Sequence, residues 1–188
     1  DNAAFRRGVQ TLHLKYDQTT AILVGDGLNT QAFYELSKIK KAKLSYKLIK
    51  ILAYNGGLNG MVIGQAIDCY FENKKLDLVK LKFLHLHKTA CLIAGCMQMG
   101  AVLAKQNKKT QKSVYNLGLK LGLAFQIHDD IIDASASQSI AKKPVKNDKD
   151  KNSFTNLLGL QGAKNARDEL KEQILNEAST QIKPLLND

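Results

Sequence analysis

The stretch Phe125-Gln126-Ile127-His128-Asp129-Asp130-Ile131-Ile132-Asp133 decides how the rest of the chain is read. Residues three or four apart on a helix share a face. That spacing predicts Gln126, Asp129, Asp130 and Asp133 on one side, with Phe125 and Ile132 pointing elsewhere. Carboxylates crowded on one face raise one another's pKa unless a cation relieves them. Magnesium suits hard oxygen ligands, keeps several waters and is usually shared with substrate phosphates. The alternative is a solvated acidic face at a helix end. The apolar run Leu121 to Ile127 just before it argues for a face inside a cavity. The face is therefore expected to be a magnesium–diphosphate platform.

Working outward, helical spacing continues and strand signals are weak. Val114, Leu117, Leu121, Phe125 and Ile132 recur at roughly helical intervals, predicting a helix over 111–133. Upstream, Asp17 is placed to cap a helix through Ala21 to Val24, and the pattern resumes through Phe33 and Leu36. Leu44 to Tyr54 predicts a helix closed by Asn55-Gly56-Gly57. Leu58 to Phe71 predicts another, with Gly57, Gly60 and Gly64 as a bare stripe that admits a close neighbour. Asp77 to Leu86 and Lys88 to Leu103 continue the series. Ala134 to Asn152 is polar, contains Pro144 and reads as the one long loop. Helices from Ser153 and from Gly162 close the chain. Only two prolines occur, Pro144 and Pro184, so little interrupts helices. No repeat or boundary is visible. The expectation is an all-α fold, one domain over 1–188, a helical bundle around a central cavity.

Composition bounds the function. At 188 residues and 44% hydrophobic content, the chain can bury a core and is not disordered. The net charge of +11 suits an anionic partner, whether nucleic acid, membrane surface or phosphorylated small molecule. Cys69, Cys91 and Cys96 are odd in number and form no CxxC pair, so neither a disulfide framework nor a zinc site is indicated. Cys91 and Cys96 are expected in the core, and a cytoplasmic location is the plain expectation. The apolar stretch Ala90 to Ala104 contains Gln98 and falls short of the roughly 20 residues of a membrane span. It is expected to be a core helix. The histidines His13, His85, His87 and His128 are not expected to ligate metal. The chain opens Asp1-Asn2-Ala3-Ala4 without methionine and reads as starting inside a longer protein.

The stretch from Phe125 to Asp133 resembles the second aspartate-rich motif, DDxxD, of the trans-isoprenyl diphosphate synthases, the group containing farnesyl and geranylgeranyl diphosphate synthases. Other blocks are similar in the same order. Asp1 to Gly8 resembles the end of the first aspartate motif and its Arg-Arg-Gly. Tyr16 to Asp26, Gly60 to Asp68, His85 to Ile93 and Ser153 to Lys164 resemble further family blocks. The resemblance covers nearly the whole chain and implies the isoprenoid synthase fold. It implies condensation of an allylic diphosphate with isopentenyl diphosphate, farnesyl diphosphate being the expected product. Asp1, Asp129, Asp130 and Asp133 would hold magnesium, three ions in all, bound with the substrate diphosphate. Arg6 and Lys88 would bind the allylic diphosphate and Arg7 the isopentenyl diphosphate. Thr89 and Gln126 would sit beside the nascent cation, with Gln65 and Asp68 near the cavity. Lys143 and Lys151 would close over the diphosphate. A homodimer is implied, with no nucleic acid and no membrane span.

Several features depart from the family pattern. The aspartate pair that begins the first motif is absent, and Ala134-Ser135-Ala136-Ser137 replaces the common Gly-Asp after Asp133. The segment that reads product length in the family lies before Asp1, which leaves geranylgeranyl and geranyl products open. Taken without the resemblance, Arg6-Arg7, Lys88-Thr89 and the lysines of the polar loop read as surface residues, and Gln65–Asp68 as a local pair. Two other readings stand beside the enzyme. One is a non-catalytic synthase-like subunit, against which the intact DDxxD argues. The other is a basic nucleic-acid-binding bundle, for which no motif speaks.

Overall fold

In the computed structural model, which describes residues 3–6, 8–72, 74–140 and 152–182, the chain is almost wholly helical. It divides into two compact units, Asp1–Ile49 and Lys50–Asp188. The first unit starts with a minimal antiparallel hairpin that the sequence patterns did not announce. Strands β1 (Phe5–Arg6) and β2 (Val9–Gln10) pair Phe5 with Gln10 and Arg6 with Val9. Gly8 takes a positive φ of 77° in the turn, a conformation that favours glycine. A short helix α1 (Leu12–Lys15) comes next. The Asp17 carboxylate then accepts the Thr20 N–H at 2.6 Å and the Thr20 hydroxyl at 2.9 Å. This cap satisfies an orphan donor and starts α2 (Gln18–Ser37), one uninterrupted helix with no buried residue. Ser45 of the next helix, α3 (Ala42–Gly56), donates to the Leu36 carbonyl at 2.9 Å.

The second unit holds the core. Helix α4 (Met61–Tyr70) begins after Gly60, so Gly57 and Gly60 lie before the helix and only Gly64 lies on it. Helix α5 (Leu78–His85) is capped by Asp77, which accepts the Lys80 N–H at 2.8 Å. It runs without a break into a π turn (Leu86–Ala90) and then α6 (Cys91–Leu103). The Cys91 N–H reaches back five residues to the Leu86 carbonyl, which is the signature of that wider turn. By length and composition alone, Leu78–Leu103 could cross a membrane. It nevertheless carries Lys80, Lys82 and Lys88, and its Leu81, Leu84, Ala90, Cys91 and Ala94 are buried in the protein core. We read it as a core helix.

Helix α7 (Lys108–Ile140) extends beyond the expected end at Asp133 and takes in the first part of the polar stretch read as a loop. Extending a formed helix costs far less than starting one, and Ala134 and Ala136 are good helix formers. Helix α8 (Phe154–Ile182) merges the two helices expected from Ser153 and Gly162, with a kink at Gly159 (φ 72°, ψ 166°). Leu76, Leu81, Leu84, Leu123, Ile127, Ile131, Phe154 and Ala163 form the shared core of α5, α7 and α8.

Glycines set how closely the helices approach the π turn. A Cβ on Gly64 would lie 2.0 Å from the Lys88 nitrogen, and one on Gly122 would lie 2.4 Å from the Ala90 Cα. The turn is thus pressed between α4 and α7, backbone against backbone.

Candidate active site

The π turn carries Lys88 and Thr89, and its neighbours on either side meet them. Thr89 donates its hydroxyl to the Gln126 amide oxygen at 2.9 Å. Lys88 Nζ donates to Asp68 Oδ2 at 2.6 Å, with both side chains half-buried. Asp68 is therefore engaged by Lys88 across two helices rather than by its helix neighbour Gln65, which is exposed on α4. The sequence-expected residues Asp68, Lys88, Thr89 and Gln126 thus converge, and Gln126 stands one helical turn before Asp129.

The acidic motif splits into two faces. Asp129 is partly buried and Asp133 exposed, one turn apart on the face that also carries Gln126. Burial pushes the Asp129 carboxyl up, and Asp133 and Asp130 push it the same way while His128 opposes them. A carboxyl raised in this manner has a stake in acquiring a cation.

Asp130 lies one turn from Gln126 but on the buried flank of that face, not beside Asp129 as expected. It is 6% exposed and lies on the core side with Ile127 and Ile131. Its Oδ2 accepts the Phe154 N–H at 2.8 Å and lies 3.4 Å from His85 Nε2. The reason is angular: consecutive helical residues differ by about 100°, which turns Asp130 from Asp129 toward the Ile127–Ile131 stripe. Sequence spacing alone does not say which flank of the acidic face the core occupies.

Among the described residues, no group of three His, Cys, Asp or Glu side chains forms a metal cage. The donor set fits magnesium all the same. That ion is usually held by one or two carboxylates together with substrate phosphates and water, which matches Asp129 and Asp133 with Lys88 nearby. A closed tetrahedral site of the zinc kind would need more protein ligands.

The polyprenyl synthetase family pattern matches residues 1–187. The chain belongs to the polyprenyl synthetase family. The farnesyl diphosphate synthase of Haemophilus influenzae is 36% identical over 183 residues, covering 94% of this chain and 62% of that protein. The farnesyl diphosphate synthase of Geobacillus stearothermophilus is 38% identical over 170 residues, covering 87% of this chain and 57% of that protein. The crystal structure of a geranyltransferase from Helicobacter pylori complexed with magnesium and isoprenyl diphosphate matches at 48% identity and a TM-score of 0.88. It covers 98% of this chain and 61% of that chain. The chain spans about three fifths of the length of these relatives.

The other residues expected from the family motifs are scattered. Arg6 is exposed on β1 and, with Thr11, His13 and Gln18, lines an open pocket of about 410 Å³ within the first unit. Asp1, Arg7, Lys143 and Lys151 lie outside the described residues. Cys91 is buried as expected, and burial pushes its thiol up. Cys96 is exposed, as is Cys69, because the buried stripe of α6 runs through Cys91, Ala94, Gly95, Ala101 and Val102. Two residues near the polyprenyl synthetase motifs were given no structural role by the sequence. His85 packs behind Asp130, and Asn152 secures the entry to α8. Asn152 accepts the Leu76 N–H at 2.9 Å and donates to the Phe71 and Lys74 carbonyls at 2.8 Å each. Their partners are distant in the chain, so no local pattern marks them.

Proposed function

We propose that the protein is a magnesium-dependent prenyltransferase that joins isopentenyl diphosphate to an allylic diphosphate, head to tail, giving farnesyl diphosphate. The observation that carries this reading is the Thr89–Gln126 hydrogen bond, one helical turn from Asp129 and next to Lys88. It gathers a cation, two oxygen dipoles and the acidic face into one place. Family membership and the farnesyl diphosphate synthase relatives support the substrate class and the product.

Asp129 and Asp133 would hold the metal, with Asp1 proposed as a further ligand. Magnesium, when bound, neutralises the departing diphosphate; three ions are proposed. Lys88, released from Asp68, donates to the diphosphate oxygens of the allylic substrate. Arg6 binds the same diphosphate and Arg7 that of isopentenyl diphosphate, the planar guanidinium matching phosphate oxygens. As the allylic C–O bond breaks, its electron pair leaves with diphosphate. The Thr89 and Gln126 oxygens then face the positive charge that develops on carbon. The isopentenyl double bond forms the new C–C bond, and a proton is lost from the resulting cation. Lys143 and Lys151 are proposed to close over the diphosphate. A cytoplasmic homodimer completes the proposal. The exposed apolar residues Ile22, Leu23, Leu28 and Tyr34 of α2 support a covering partner.

The test is incubation of the full-length protein with dimethylallyl and isopentenyl diphosphates, with and without Mg²⁺, and then product sizing. Magnesium-dependent farnesyl diphosphate is expected. No elongation under any condition refutes the enzyme and favours a non-catalytic subunit. A geranylgeranyl or geranyl product corrects only the chain length.

A further inference from the structure

The buried carboxylate of Asp130 lies on the core side of α7 rather than beside Asp129. Its acceptance of the Phe154 N–H secures the start of α8, yet that bond does not account for the histidine beside it. His85 is 4% exposed, and neither of its ring nitrogens makes a hydrogen bond among the described residues. Nε2 nevertheless lies 3.4 Å from Asp130 Oδ2, an ionic distance with off-line geometry. The imidazole also stacks on the fully buried Phe154 ring at 5.6 Å between centroids and 20° between planes. A buried polar ring held this poorly satisfied asks for a reason other than folding.

We propose that His85 and Asp130 are positioning residues that aim the metal-facing carboxylates of α7 and the Lys88–Thr89 segment at one diphosphate. This rests on the reading of the Asp129–Asp133 face as a magnesium–diphosphate platform. The arrangement has two rungs. His85 meets Asp130, and Thr89 meets Gln126. On each side of this ladder the two residues are four apart, so the rungs are one turn apart on both helical segments. One rung would leave α7 free to roll, whereas two fix both its rotation and its axial register against the π turn. The Phe154 N–H adds a third anchor, from the start of α8.

Small rolls of α7 have large effects at the metal. Carboxylate oxygens ride about 5–6 Å from a helix axis, so a roll of roughly 20° moves them about 2 Å. Magnesium demands near-octahedral oxygens at about 2.0–2.1 Å, so a swing of that size removes a ligand. Loss of groups that orient metal ligands typically costs roughly 10–100-fold in affinity or activity.

The test uses the full-length protein and Mn²⁺ with inorganic pyrophosphate, read by electron paramagnetic resonance, alongside thermal melts. Glutamine places its amide nitrogen near the position of histidine Nε2, and asparagine near that of Nδ1. His85→Gln is expected to keep metal–pyrophosphate affinity within about threefold. His85→Asn should lose about tenfold or more, at a matched melting temperature. His85→Phe, which keeps the stack on Phe154 but leaves the buried Asp130 without its polar neighbour, should lose as much affinity and also melt lower. If His85→Phe does not fold, the glutamine–asparagine comparison decides. Equal affinity across the variants overturns the inference. So does a loss common to glutamine and asparagine that tracks their melting temperatures, because that is generic destabilisation. A wild-type protein that binds no Mn²⁺–pyrophosphate overturns the platform reading itself and this inference with it.

Discussion

Replacing Gly64 with alanine is the sharpest single test of how the π turn is held. The new Cβ would lie 2.0 Å from the Lys88 nitrogen, 2.5 Å from its Cα and 2.6 Å from the His87 carbonyl carbon. Ordinary contacts between such atoms are about 3.5–4.0 Å, so α4 and the turn must separate by more than about 1 Å. The obstruction is backbone, which cannot rotate aside as a side chain can. Overpacking of this kind costs roughly 1–3 kcal/mol. Alanine's helical preference over glycine returns about 1 kcal/mol. Taking the upper part of the range, the net loss is about 2 kcal/mol, a Tm lower by about 4–8 °C for a chain of this size. The effect on turnover should be larger. Lys88 and Thr89 ride on the displaced turn, and a shift of about 1 Å at reacting groups can cost about 100-fold. Gly100→Ala is the control, since nothing lies within 4 Å of the Cβ it would add. It should melt slightly higher and turn over normally. The assay pairs calorimetry with steady-state kinetics on the full-length protein. A Gly64→Ala variant that melts and turns over like the parent would show that the close approach is not real.

Asp129→Asn should end turnover yet raise the metal-free Tm at neutral pH. The Asp129 carboxyl is raised in the fold by burial and by Asp133, so its contribution is full in acid and lost as pH rises through the raised value. The gain in Tm should therefore vanish toward acid, and a gain independent of pH would contradict the electrostatic account. Thr89→Val removes the donor to Gln126 and should lower kcat about three- to tenfold with KM little changed, matching about 0.5–1.5 kcal/mol for one hydrogen bond. Steady-state kinetics with the allylic diphosphate varied would show it, and an unchanged kcat would detach Thr89 from the chemistry. Asn152→Ala loses three hydrogen bonds at the entry to α8 and should destabilise by about 2–3 kcal/mol. Urea unfolding would measure this, and a loss below about 0.5 kcal/mol would mean that solvent replaces those bonds.

Much of this architecture was legible in the residues. Asp17 announced the start of α2, and the spacing around Asp129 announced a helix with Asp129 and Asp133 on one face. The helical type of nearly every segment could be read from periodicity and the scarcity of proline. What escaped was whatever depends on distant partners. The orientation of Asp130 required knowing where the Ile127–Ile131 stripe finds its core, and that core includes Phe154, well beyond the motif. His85 looked like one histidine among several until Asp130 was found beside it. The π turn has no composition of its own, so Leu86 to Ala90 reads as ordinary helix. The polar run after Asp133 favoured a loop by composition, but a helix already under way continued through it as far as Ile140. Gly57 and Gly60 were misplaced onto α4 because the turn before a helix and its first turn share the same spacing.

The π turn has one more consequence, which concerns residue count more than residue identity. Five residues, Leu86 to Ala90, occupy a wider circuit than an α-helix would use, so the turn houses one residue more while α5 and α6 keep nearly the phase of one continuous helix. Removing one of them would let the helix close into a regular spiral without turning Leu81 and Leu84 out of the core. The loss would fall inside the turn instead, where Lys88 and Thr89 could no longer both hold their places against Asp68 and Gln126. A single in-frame deletion there should spare the fold and strike the site.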